Sequence, residues 1–103
     1  MDESFIRNRI TQLRIQKGAS EYQMSYDLGH SRAYVNNISA GKSLPSVGEL
    51  LAVCDYFGIS PKDFFDEKLE NPAALQAAID AMQGLCEEDL HMVQSIILRL
   101  QKR

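Results

Sequence analysis

The chain has 103 residues, 45% of them hydrophobic and 24% charged, with 11 Lys and Arg against 14 Asp and Glu. A chain this long buries roughly two thirds of the surface its unfolded form exposes, so it folds without a disulfide or metal staple. No apolar run approaches the ~20 residues of a membrane-spanning helix, and Met1-Asp2-Glu3-Ser4 lacks the basic and apolar parts of a secretory leader, so a cytoplasmic location without membrane contact is expected.

In chain order, helices are predicted over Glu3–Lys17, Ser20–Leu28, Ser31–Ala40, Ser46–Phe57, Pro61–Phe65, Pro72–Gln83 and Glu87–Gln101. Gly18, Gly29, Gly41, Gly58 and Gly84 mark the stops, as residues suited to the left-handed conformation at a helix end. Ser20 with Gln23 and Ser46 with Glu49 fit reciprocal capping boxes, Ser31 is placed to cap alone, and Ser60-Pro61 and Asn71-Pro72 put proline where its missing amide costs nothing. Glu87, Glu88 and Asp89 fall at the positive end of the last helix dipole. Strand-like alternation is absent, so the fold expected is all-α.

Apolar spacing predicts one core: Ile6, Ile10 and Leu13 from the first helix, Met24 and Leu28 from the second, Val35 and Ile38 from the third. Leu50, Leu51, Cys54 and Phe57 extend it, and Ile59, Phe64 and Phe65 close it, giving a bundle of five short helices. Ala73, Ala74, Ala77, Ala78 and Ala81 would let another helix approach the sixth closely. Tyr22, Tyr26 and Ile15 lie outside this core, and packing against the C-terminal helical pair is expected to cover them, ahead of a partner surface. On the last helix, Leu90, Val93, Ile97 and Leu100 recur at near-heptad spacing, broadened by Met92, Ile96 and Leu98. Two occupants stay open for that stripe, a second copy of the chain or the chain's own body.

Catalytic patterns are missing. Cys54, Cys86, His30 and His91 are isolated, and no phosphate loop, His-Glu-x-x-His or Gly-x-Ser-x-Gly occurs, so no enzyme activity, metal, cofactor or small-molecule substrate is expected.

The second and third predicted helices are separated only by Gly29 and His30, which forces them to cross steeply, and Ser25 is small where its partner passes. Two short helices at a large angle around a glycine turn form a helix-turn-helix, whose second helix fits the major groove. Residues 10–65 resemble the Cro/C1-type (lambda-repressor-like) helix-turn-helix family of bacterial and phage regulators. The resemblance rests on Leu13-Arg14, Lys17-Gly18, Ser20, Met24, Leu28-Gly29, Ser31 to Val35 with Ile38, Gly41-Lys42, Pro45-Ser46, Leu50-Leu51 and Phe57 to Ser60, at the family's spacing.

The resemblance implies a DNA-binding domain over residues 1–68, followed by a helical hairpin over 69–103 that is a candidate dimerisation element through Leu90, Val93, Ile97 and Leu100. It also implies a sequence-specific transcriptional regulator, in the repressor's role by family habit. Its partners would be double-stranded DNA and a second copy of itself. Base edges would be read by Arg32, Ala33, Asn36 and Asn37, side chains that suit guanine, thymine methyl and adenine. Ser20, Tyr34, Lys42 and Ser43 would hold the DNA backbone. Charge agrees with this: Arg7 to Lys42 holds six basic and two acidic residues, whereas Ser43 to Glu67 holds one and five.

Two residues depart from the family pattern. Glu21 stands where many members have a phosphate-contacting Gln, and Ser39 stands where a Glu usually pairs with the arginine matched by Arg14, which must therefore find another acceptor, solvent or DNA. Glu21, Ser39 and the tyrosines favour a rival reading, a protein-interaction module on the same fold, partner-controlled or antitoxin-like, with weak DNA binding.

Overall fold

The computed structural model describes residues 1–102 and is all-helical there: α1 Glu3–Lys17, α2 Glu21–Asp27, α3 Tyr34–Ser39, α4 Val47–Phe57, α5 Pro61–Phe64, α6 Pro72–Met82 and α7 Glu87–Gln101. Side chains at the first turns fix the helix starts by accepting from free amides. Ser20 Oγ accepts from Gln23 N at 2.9 Å, Ser60 Oγ from Asp63 N at 3.1 Å and Asn71 Oδ1 from Ala74 N at 3.0 Å. Ser46 and Glu49 form the full reciprocal box, at 3.1 and 2.8 Å. Ser20 and Gln23 form only half of theirs, because the Gln23 amide donates instead to the Asp27 carboxylate one turn ahead, at 2.6 Å.

The largest revision concerns the start of α3. A helix from Ser31 was expected, but residues 31–33 form a turn, closed by Tyr34 N donating to Ser31 O at 3.0 Å, and Ser31 caps nothing with its side chain. The turn between α2 and α3 is therefore longer than two residues. Gly29 makes its bend: at φ 74° it donates to Tyr26 O, while His30 N donates to Ser25 O, closing α2 in a Schellman arrangement.

The core contains Ile10, Leu13, Met24, Val35, Ile38, Val53, Cys54, Phe57, Ile59 and Phe64, with Ile6, Leu28, Leu50 and Phe65 packed at its edge. Leu51, expected inside, is half exposed, and Val53 takes its place. At ~100° per residue, Leu50, Val53, Cys54 and Phe57 share one face of α4 and Leu51 lies about 110° off its centre.

Arg9 is buried among these apolar residues. Its Nε donates to Phe64 O at 3.0 Å, Nη1 to Leu69 O and to Gln12 Oε1, and Nη2 to Asp66 O, so one guanidinium gathers carbonyls left over past the end of α5. Phe5 lies 5.2 Å below it. Carbonyl dipoles, rather than an acid, thus stabilise this buried charge.

The foot of α6 is docked on α1. Pro72 is buried, Ala73 packs against the core, and the Gln12 and Gln16 amides both donate to Glu70 O. From there the pair runs outward, giving extents of 49 × 26 × 22 Å and a radius of gyration of 16.4 Å, against about 13 Å for a compact chain of this length. No residue of α7 is buried. The expected cover for Tyr22, Tyr26 and Ile15 does not exist: they stay 55%, 72% and 63% exposed, because the pair leaves the body rather than folding along α2. Ala74, Ala77, Ala78 and Ala81 are likewise exposed.

Candidate nucleic-acid interface

Ser25 sets the relation between α2 and α3. Fully buried, it donates from Oγ to Glu21 O at 2.8 Å and accepts from Val35 N at 3.1 Å. A hydroxyl on one helix therefore satisfies a first-turn amide of the next, which is the capping task that Ser31 leaves undone. Its small size was legible in the sequence, but its role as a cap was not, because ten residues separate donor and acceptor.

Most of the predicted contact residues are exposed. Ser20, Arg32, Ala33, Asn36, Lys42 and Ser43 are exposed, and Asn37 is half-buried. Lys42 N and Ser43 N both donate to Asn37 O, at 2.9 and 3.2 Å, so the loop after α3 is tied to the helix that would read bases. Gly41 permits that tie at φ 82°, and Arg7 Nη2 donates to its carbonyl at 3.4 Å. The Arg32 guanidinium lies 5.8 Å over the Tyr22 ring.

Tyr34 is placed differently. Its ring stacks on His30 with centroids 3.8 Å apart, and its hydroxyl is buried without a hydrogen-bond partner. Burial first, then the nearby Glu49 carboxylate, pushes that hydroxyl up to about 12. In this conformation the hydroxyl is not presented to a phosphate, unlike the other side chains expected to hold the DNA backbone, which are exposed.

The basic segment is also less uniform than its charge count implies. Arg9 is buried beside α5, Lys17 Nζ donates to Tyr56 O at 3.3 Å, and Arg14 Nη1 donates to Ala19 O at 2.9 Å. Arg32 and Lys42 remain as exposed cations on the α2–α3 side, with Arg7 behind the loop. The Ala19 carbonyl is thus the acceptor Arg14 needed. The two departures meet each other: Ser39 Oγ donates to Glu21 Oε2 across α2 and α3. A charge-assisted bond thus gives the Glu21 carboxylate a partner on α3.

Among the described residues no group of three or more His, Cys, Asp or Glu is arranged to hold a metal ion, and no helix is long and apolar enough to cross a membrane. The Cro/C1-type HTH DNA-binding domain model matches residues 9–68. No curated protein and no solved structure matches the chain. The match spans more than half of the sequence and includes every residue of the α2–α3 unit: the chain belongs to the Cro/C1-type helix-turn-helix family of DNA-binding domains.

Proposed function

From that membership we propose that the protein is a sequence-specific transcriptional regulator of bacterial or phage type, most simply a repressor that occupies an operator and performs no chemistry. Residues 1–68 form its DNA-binding domain and 69–103 its dimerisation element, with Leu90, Val93, Ile97 and Leu100 in the contact. It works in the cytoplasm, as a homodimer whose two recognition helices meet successive major grooves about 34 Å apart. The observation that carries this reading is that Arg32, Ala33 and Asn36 are exposed and Asn37 half-exposed at and just before α3, with Ser20, Lys42 and Ser43 exposed as well. Arg suits guanine O6 and N7 and Asn suits adenine N6 and N7, while the flanking groups fix register on the backbone.

Selection from random duplex DNA at two salt concentrations tests it, with an enriched palindrome as the expected result. Arg32→Ala then costs about 1–3 kcal/mol on the selected site and relaxes its sequence preference. Lys42→Ala weakens all duplexes alike and lowers the salt slope by about one. A specific observation favours a second reading: Tyr22 and Tyr26 are 55% and 72% exposed beside the acidic Glu21, a surface suited to a protein partner. No retention of DNA even at low salt would overturn the first reading and count toward the second.

A further inference from the structure

The most exposed apolar side chains of α7 are Met92, at 61%, and Ile96, at 54%. With ~100° between successive residues, Asp89, Met92, Ile96 and Arg99 lie within an arc of about 80°. Their order along the helix is acid, apolar, apolar, base, spaced symmetrically about Gln94. Val93 is the one residue of α7 that is half-buried, and the less exposed Leu90 and Ile97 lie with it, centred about 115° round the helix from that arc, so the side bearing Met92 looks away from the rest of the chain.

We propose that this face is the contact between two copies of the chain, and that the two α7 helices dock antiparallel about a twofold axis level with Gln94, whose own side chain lies on the far side of the helix. The stripe read backwards is its own complement. Antiparallel docking sets Asp89 of each copy against Arg99 of the other and Met92 against Ile96, each pair occurring twice, as an isologous interface requires. Glu87 and Glu88 then lie toward the Lys102 end of the other copy, and each helix meets the opposite end of its neighbour's dipole. A parallel arrangement would instead oppose Asp89 to Asp89 and gather all three acids of each first turn at one end. Charge order thus selects both the occupant, a second copy, and its direction. The inference rests on the dimer proposed above, but moves its contact from Leu90, Val93, Ile97 and Leu100 to the face about 100° round the helix and adds an orientation.

Cross-linking through engineered cysteines in a Cys86→Ser background, which keeps only the buried Cys54, tests it, using the full-length chain. Antiparallel docking keeps each Asp89→Cys site about 15 Å along the axis from its own copy and brings it opposite Arg99→Cys. Mild oxidation of the mixed D89C and R99C chains is therefore expected to give a bridged dimer, and neither chain alone. D89C bridging to itself would overturn the orientation and leave the dimer standing. A chain that sediments as a monomer at every concentration would overturn the dimer and the orientation together. Charge reversal gives a second readout: D89R and R99D each raise the dimer dissociation constant at least about tenfold, and the D89R/R99D chain restores it. A dimer of unchanged affinity in both single variants and in M92E/I96E would show that another face makes the contact.

Discussion

In the body of the molecule Met24, Val53 and Phe64 have no exposed surface, whereas in α7 Met92, Ile96 and Leu98 keep 61%, 54% and 50% of theirs. Both regions carry apolar residues at helical spacing and both begin on well-placed first turns. They differ in what surrounds them. The α1–α5 residues converge from several helices on one interior, while α7 is touched on one side only. An amphipathic stripe states that a face must be covered; the neighbours that cover it are a property of the whole fold.

That contrast can be broken by experiment. The largest effect is expected at Phe64, whose truncation to Ala leaves a cavity and lowers stability by about 3–5 kcal/mol in urea unfolding. Ile96→Ala shifts the same curve by no more than about 0.5 kcal/mol at concentrations that keep the chain monomeric. Equal losses would mean that the two regions are buried alike. Arg9→Met comes next, costing about 2–3 kcal/mol because three carbonyls lose a charged donor, and it leaves the salt dependence of DNA binding unchanged. A smaller salt slope would place Arg9 on the DNA face after all.

Ser25→Ala is expected to cost about 1–2 kcal/mol, since the buried Val35 amide then lacks an acceptor. The smallest effect belongs to Glu49. The Ser46 backbone amide, more than any other group, holds its carboxyl below the ordinary 4.5. A lowered value in the folded state means that this support is complete above that ordinary value and is lost as pH falls through the lowered one. The urea midpoints of the native chain and Glu49→Gln should therefore draw together as pH falls below about 4.5. A gap that persists into strong acid would remove the carboxylate from the capping role.

Most helix positions were legible because stops and starts are local chemistry: glycine past the last turn, a hydroxyl or amide oxygen before the first. Ser31 misled for the same reason. It has the right side chain for a cap, yet Ser25 supplies the acceptor from another helix, and no local pattern encodes a bond across ten residues. Leu51 and Val53 changed places because α4 offers a broad apolar surface, and the packing of the other helices decides which part of it is inside. Of the predicted contact residues, Tyr34 alone is turned to the interior by its hydroxyl, since His30 and Glu49 reach it from outside α3.

By itself, the sequence determined an all-helical chain, its punctuation, most of its core and the family to which the α2–α3 unit belongs, since these follow from near-neighbour hydrogen bonding and helical periodicity. Only the tertiary structure decided where the charges act: Arg9 serves carbonyls near α5, Arg14 the Ala19 carbonyl, and Glu21 meets Ser39. Composition counts a charge equally wherever it lies, while its effect depends on the groups within a few ångströms, and those are set by how the helices pack.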